Sequence, residues 1–333
     1  MTGDRRSTRP AARHSRTMRP RSHAGPAGRD REDNPLLAAL VAERPLLVGL
    51  AYRITSSRVE AEDIVQEAWL RARRADASTI DNPAAWLTTV VARLALDQLR
   101  SARQRRESYV GPWLPEPVVG VGALATPPPA DDPAGAAEMA ESVTFGFLRV
   151  LETLAPVERV VFLMADVFEV PFAEIGRAVD RSPEACRQIA SRARRRIREG
   201  APRHPVPADA GTVVGELFAA LTAGDADRVL SLLAEDAVLV SDGGPQAHAA
   251  RRPVVGRERV ARFLVNLARR LSGTDVTVEW AVVNGEPGVV VTEGDGGGLL
   301  TLAVHVADGS IAALYAVVNP DKLAALDFSE PML

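Results

Sequence analysis

The strongest constraint in this chain is a break in periodicity. Residues 109–135 carry Pro112, Pro115, Pro117 and the run Pro127-Pro128-Pro129, with Gly111, Gly120 and Gly122, between two stretches whose apolar residues recur every three to four positions. Proline removes a backbone donor and fixes φ, so no helix crosses this segment and the helices on either side form separate modules. A linker of this composition is semi-rigid.

Before the linker, from Asn34 to Arg106, the pattern is helical: Leu36, Leu37, Leu40 and Val41, then Leu47, Leu50 and Ala51, then Ile64, Val65, Ala68 and Trp69, then Trp86, Leu87, Val90, Val91, Leu94 and Leu99. The pattern breaks at residues 78–83, where Asp81 or Asn82 can cap the next helix and Pro83 suits its first turn. After the linker, residues 136–199 again read as helices, with breaks near Pro156, at Val170-Pro171 and at 180–183. Beyond Gly200 the texture changes. Residues 213–223, 226–233 and 258–271 read as helices, and 238–240, 276–283, 288–292, 299–306 and 311–318 as paired antiparallel strands between Gly and Asp turns.

These readings divide the chain into a basic tail expected to be disordered (1–33), a helical block (34–108), the linker (109–135), a second helical block (136–200) and an α+β domain (204–333). The fold class is therefore multidomain, two all-α domains followed by an α+β domain.

The net charge of −3 hides an uneven distribution. Residues 1–30 hold 8 basic and 2 acidic side chains and residues 156–200 hold 9 and 7, whereas 201–333 hold 10 and 17. All basic residues but Lys322 are Arg. Cys186 is the one cysteine, which excludes an internal disulfide and a Cys-based zinc site and suits a reducing compartment. No apolar run approaches the roughly 18 to 20 residues that span a bilayer, and the Arg-rich N-terminus has no apolar stretch of a secretory signal behind it. A soluble, cytoplasmic chain with no membrane partner is expected.

Residues 172–199 carry the most specific local pattern. A short amphipathic helix (172–179) is followed by a turn at Asp180-Arg181 and by Ser182-Pro183-Glu184, a capped helix start. In the second helix Ala185, Cys186, Ile189, Ala190, Ala193 and Ile197 make an apolar stripe, opposite Glu184, Arg187, Gln188, Ser191, Arg192 and Arg195. A helix-turn-helix places such a face in the major groove. Arg187, Gln188 and Glu184 suit base edges, while Arg194, Arg195, Arg196 and Arg198 suit phosphates. The alternative reading is a solvated basic face.

The first helical block adds a second pattern. Ala61-Glu62-Asp63-Ile64-Val65-Gln66-Glu67-Ala68-Trp69 is followed by Pro83-Ala84-Ala85-Trp86-Leu87 and by a helix ending in Asp97 to Arg106. Together these resemble region two of an extracytoplasmic-function sigma factor, and the helix-turn-helix then resembles region four. The resemblance implies that Glu62, Asp63, Val65, Gln66 and Trp69 bind the β′ coiled coil of core RNA polymerase. It implies that Asp81, Asn82, Trp86, Arg93, Asp97, Arg100, Arg103, Arg105 and Arg106 open and read the minus ten element, and that the face from Ser182 to Arg196 reads the minus thirty-five element. Trp86 at a helix start also suits the core. Core polymerase, through its β′ coiled coil and β flap, and promoter DNA are the implied partners.

Three further stretches resemble the SigJ-like sigma factors with a fused SnoaL-like domain. They are Tyr109-Val110-Gly111-Pro112-Trp113-Leu114-Pro115-Glu116-Pro117 in the linker, Asn319-Pro320-Asp321-Lys322-Leu323 near the C-terminus, and a partial match at Asp242-Gly243-Gly244 that continues as Pro245-Gln246 in place of a third glycine and a basic residue. The resemblance implies an NTF2-like domain, a curved antiparallel sheet wrapped by helices around a cone-shaped cavity. It implies regulatory contacts by Trp113, Leu114, Pro115, Glu116 and Pro117, by Asp242, Gly243 and Gly244, and by Asn319, Pro320, Asp321, Lys322 and Leu323.

Asp242, His248, Trp280, His305 and Tyr315 are the candidates for lining that cavity, in which an unidentified small ligand is left open. They form no carboxylate dyad or metal set by spacing, so neither catalysis nor a cofactor or metal is assigned. Two other readings stay open: a SnoaL-like isomerase or cyclase with a DNA-binding appendage, and a ligand-sensing dimeric repressor.

Overall fold

The computed structural model describes residues 34–106, 109–120, 143–200, 207, 209–294, 297–324 and 326, with the backbone alone at 103–106 and 200. The N-terminal tail, the Pro127–Pro129 run, residues 136–142 and the side chains of Arg103, Arg105 and Arg106 lie outside the described residues. From Pro35 onward the chain forms one compact unit.

Helix α1 (Pro35–Thr55) ends at Ser56, whose φ of 60° turns the chain, and Ser57 then caps α2 (Arg58–Arg74) by accepting the Glu60 N–H at 3.1 Å. The sequence pattern ran through this break because apolar residues continue on both sides of it. Asp76 organises the turn at Ala77–Thr79, and Asn82, rather than Asp81, caps α3 (Pro83–Arg106) by accepting from Ala85 N at 3.1 Å. Contrary to the expectation, α1 is long and apolar enough to cross a membrane, with a mean hydropathy of 1.4 over its best window. Its apolar face is instead covered: Leu36, Leu40, Leu47, Leu50 and Ile54 are buried against α2 and α3.

The second helical block consists of α4 (Phe145–Leu151), α5 (Pro156–Phe162) with a π-helical turn at Leu163–Val167, α6 (Phe172–Val179) and α7 (Pro183–Gly200). Thr144 caps α4 and Ser182 caps α7. Gly176 is required by the turn between α6 and α7, since a Cβ there would lie 2.6 Å from the Arg181 carbonyl oxygen. The two blocks do not form separate cores. One hydrophobic cluster runs from Leu36 through Leu99 to Ile197, and α3 packs against α6.

The C-terminal domain holds α8 (Ala210–Ala223), α9 (Ala226–Leu232), β1 (Leu233–Asp242), β2 (Val254–Val255), α10 (Arg257–Leu271), β3 (Val276–Val283), β4 (Glu286–Glu293), β5 (Gly298–Ala307), β6 (Ser310–Val317) and α11 (Pro320–Leu323). The sheet order is β2-β1-β6-β5-β4-β3. The expected purely antiparallel sheet is corrected at one place: β1 and β6 run parallel, because the intervening strands fold back as a meander and return β6 beside β1.

Alternation splits the strands between two faces. Leu300, Leu302, Val304, Leu314 and Ala316 pack with α8, α9 and α10. Val240, Val290, Ala303, Tyr315 and Val317 face the other way, onto Leu114 of the linker, Phe145 of α4 and Leu323. Across β4 to β6 both faces are therefore largely buried, one by the domain's own helices and the other by the linker and the second helical block, while much of the edge strand β3 stays exposed.

Candidate nucleic-acid interface and interdomain clasp

The polar face of α7 lies open to solvent. Ser182, Glu184, Arg187, Gln188, Ser191, Arg192 and Arg195 are exposed, while Cys186, Ile189, Ala190 and Ala193 are buried. Burial pushes the Cys186 thiol up, so it packs as a small apolar group. Arg187 lies over the Phe172 ring at 5.5 Å and pairs loosely with Glu184 at 3.4 Å; the capping bonds at the helix start and this arginine hold the Glu184 carboxyl below its usual range. Arg194 and Arg196 differ from the rest. They pair with Asp166 at 2.7 Å and Glu158 at 2.5 Å inside the same block, which partly neutralises them.

On α2, Asp63 and Gln66 are exposed and Glu62 and Trp69 half-buried, with Glu62 paired to Arg44 and Trp69 under Arg73 at 4.6 Å. Val65 is 3% exposed and faces the core, so its side chain is closed to any partner in this arrangement. Asp81, Asn82, Asp97 and Arg100 are exposed. Trp86 is half-buried and lines a cavity of about 390 Å³ with Ile80, Asp81 and Asn82, and α6 completes this cavity with Glu174 and Arg177. Arg93 is already engaged, donating to the Arg177 carbonyl at 2.6 Å and pairing with Asp180 at 2.7 Å. The two candidate DNA readers are thus fastened to each other.

The three signature stretches converge on Asp242. Its carboxylate accepts from Tyr109 OH at 2.5 Å, Leu114 N at 2.8 Å, Gly244 N at 3.0 Å and Lys322 Nζ at 2.7 Å. Lys322 also donates to the Leu114 carbonyl and lies over the Trp113 ring at 4.0 Å. Asn319 caps α11 through Asp321 N and donates to Tyr109 OH at 2.8 Å. Burial and the neighbouring carboxylate raise the Tyr109 pKa, so the phenol keeps its proton and donates. Gly243 and Gly244 are needed for closeness, since a Cβ would meet Ala247 O at 2.7 Å in one case and Asn319 Nδ2 at 2.7 Å in the other.

The linker continues from this centre to the first block. Glu116 accepts from Ser57 Oγ, Arg58 N and Val59 N at 2.7, 2.7 and 3.2 Å, so a linker carboxylate sits on the N-terminus of α2, where free N–H groups and the helix dipole favour an anion. Its carbonyl accepts from Tyr52 OH at 2.8 Å. Val118 and Gly120 then pair along the edge strand: Asn284 N donates to Val118 O at 2.8 Å and Gly120 N to Val282 O at 3.0 Å.

Sequence reasoning missed several residues of this arrangement. Asn284, 1% exposed, accepts from Val118 N at 3.0 Å and donates through Nδ2 to Tyr52 OH at 2.7 Å and Val143 O at 2.8 Å. One amide thereby touches the linker, the first block and the entry to the second. Arg159, 1% exposed, donates to Ile54 O and to Glu152, each at 2.6 Å, and joins the blocks directly. Phe145 stacks near Tyr315 at 5.6 Å and Arg149 lies 5.9 Å over the same ring. The Asn284-Gly285 pair, at φ 50° and 75°, is a legible hairpin signal, but nothing local reveals the long-range bonds.

The candidates for a helix-wrapped cavity are redistributed. Asp242, His305 and Tyr315 lie on the sheet face covered by linker and α4, because they alternate with the residues facing α8–α10. Trp280 is 50% exposed on the edge strand and meets Phe218 edge-on at 5.2 Å; His248 is exposed in a loop. His305 Nδ1 lies 2.7 Å from Glu286 Oε1, and burial raises the Glu286 pKa. No group of three or more His, Cys, Asp or Glu side chains suited to a metal ion occurs among the described residues.

The comparisons with known proteins agree with this architecture. Sigma-70 region 2 matches residues 40–106, Sigma-70 region 4 residues 145–197 and the SnoaL-like domain residues 214–320. Over 300 residues the chain is 44% identical to the ECF RNA polymerase sigma factor SigJ of Mycobacterium tuberculosis (strain ATCC 25618 / H37Rv), covering 87% of this chain and 93% of that protein. It is 32% identical over 300 residues to the probable ECF RNA polymerase sigma factor SigI of Mycobacterium tuberculosis (strain CDC 1551 / Oshkosh), covering 89% and 97%. The crystal structure of Mycobacterium tuberculosis SigJ superposes with a TM-score of 0.67 at 40% identity, covering 86% of this chain and 98% of that one. Two sigma regions joined by the signature linker to a SnoaL-like domain, shared over almost the whole length of such relatives, mean that the chain belongs to the extracytoplasmic-function RNA polymerase sigma factors.

Proposed function

We propose that this sigma factor is regulated by its own C-terminal domain, which holds region two and region four together until polymerase and promoter draw them apart. The observation that carries the reading is the bonding of Asn284, whose single side chain ties region two, the linker and the entry to region four to the sheet. The exposed face of α2 at Glu62, Asp63, Gln66 and Trp69 serves the β′ coiled coil, and region four serves the β flap. The loop at residues 78–82 and α3 serve the minus ten element, and α7 serves the minus thirty-five element. The protein acts where the polymerase is, in the cytoplasm.

The physical argument is one of reach. Two promoter elements about 25 base pairs apart are separated by roughly 85 Å of B-form DNA at 3.4 Å per base pair. A compact unit of about 300 residues has a radius of gyration near 19 Å. Regions that share one hydrophobic cluster cannot occupy both elements, so binding selects an opened state and every contact that favours closure weakens it. The rival reading of an isomerase has less support, because the His305–Glu286 pair is buried beneath the linker side of the sheet rather than open to a substrate.

Runoff transcription with core enzyme tests the proposal. Asp242→Asn removes the charge that holds Tyr109, Leu114 and Lys322 together, and is expected to raise output at limiting core enzyme by about five-fold. Output and polymerase affinity unchanged by this variant, and also by ending the chain at residue 200, would remove the regulatory role.

A further inference from the structure

Between Tyr109 and Leu114, both bonded to Asp242, the linker forms a strap across the loop that follows β1. Strap and loop enclose a cavity of about 120 Å³. Its wall on one side is Val110 to Pro112, with Gly111 at φ 83°; its floor is Ser241, Gly243 and Gly244, and its rim carries Gln246, His248 and Arg251. The loop holds its own shape, through Ala247 N to Gly243 O at 3.0 Å and Ala250 N to Ser241 Oγ at 2.8 Å.

The chemistry of the lining is one-sided. No carboxylate lines it, for Asp242 is turned toward its four donors. The rim supplies a guanidinium, an imidazole and a carboxamide, all exposed, and none makes a hydrogen bond or ion pair to another described residue. The Ser241 hydroxyl oxygen is occupied by the Ala250 N–H, which leaves its own proton to donate elsewhere. Donors without an opposing acid recognise an anion, and the volume suits a handful of heavy atoms.

We propose that this cavity binds a small free anion, a phosphate or a short carboxylate, held by the donors of the Ser241 to Arg251 loop beneath the linker strap. The site is distinct from the sheet faces. It rests on the regulatory reading only for its consequence: an anion held by the loop and seated against the strap favours the closed chain, in which Trp113 and Leu114 sit on Lys322.

The test uses the full chain, titrated calorimetrically with inorganic phosphate and with acetate at constant ionic strength set by chloride. Saturable binding of either anion, absent with chloride, is expected. Arg251→Gln is expected to weaken it by about ten-fold or more with an unchanged circular dichroism spectrum, and His248→Ala to weaken it less. If Arg251→Gln unfolds, Gln246→Ala, an exposed position, carries the test in its place. Equal heats for chloride, or folded variants that titrate like the wild type, overturn the site. Displacement of the anion by a short DNA duplex overturns its assignment to a free small molecule. Binding without any effect on runoff output leaves the site standing and removes only its regulatory consequence; absence of anion binding to the wild-type chain, while Asp242→Asn still raises runoff output, removes the site and leaves the regulatory reading standing.

Discussion

Asn284 shows how much a single side chain can do when both its amide ends are buried. Its left-handed backbone is one that Asn tolerates and Ala resists, and its side chain satisfies a linker N–H, a tyrosine hydroxyl and a carbonyl that would otherwise be unpaired. The two contributions can be separated. Asn284→Gly keeps the turn and loses the bonds, and is expected to lower unfolding free energy by about 1 to 3 kcal/mol. Asn284→Ala is expected to lose about 1 kcal/mol more, from the left-handed strain. Urea denaturation of the three proteins measures both, and equal stability of wild type and Asn284→Gly would show the amide to be dispensable. Arg53 is a comparable case within region two: burial lowers its pKa to about 10, and its contacts to Gly49 O and the Phe168 ring compensate for the lost water.

Among the elements, β4 and β5 carry an unusual pair. Glu286 and His305 face each other across them, with Tyr315 and Arg149 the nearest ionisable neighbours from β6 and α4. Glu286 Oε2 has no hydrogen-bond partner among the described residues, and burial lifts the carboxyl above its ordinary value near 4.5, while His305 pulls it back. A carboxyl raised in the folded state contributes its full stability below the unfolded pKa and loses it as pH climbs through the folded one. Thermal melting is therefore expected to fall from pH 4.5 toward 7 more steeply in the wild type than in Glu286→Gln, so that the variant gains relative stability as pH rises. A variant that instead loses stability toward pH 7 would mean that the pair is an ion pair that offsets its own burial.

At the scale of the whole molecule, the C-terminal sheet buries its second face with pieces of a different domain. Leu114, Phe145 and Leu323 fill that face, and the linker extends its edge. Under the proposed regulation, closure is one state of a chain whose function needs another. Fluorescent labels placed through Ala42→Cys in α1 and Glu199→Cys in α7, both exposed and outside the proposed binding faces, with buried Cys186 replaced by Ser, are expected to move apart when core enzyme and promoter DNA are added together. Unchanged energy transfer in an active transcription complex would contradict the opening.

Much of this was legible in the sequence because it is local. Helix starts at Asn82 and Ser182 follow from a polar side chain reaching its own next turn, and the two faces of α7 follow from a period of 3.6 residues, whereas the start at Ser57 was hidden by apolar residues continuing on both sides of it. Strand positions in β3 to β6 follow from alternation bounded by turns, although alternation alone assigns Tyr315 and His305 to a face without saying what covers it. That question, like the pairing of Arg93 with Asp180 and the bonds of Asn284, depends on residues 87 to 232 positions apart. Contacts so distant in the chain leave no spacing to read. They arise only once the helices and the sheet have packed, when a buried polar group must find whichever partner the packing brings within about 3 Å.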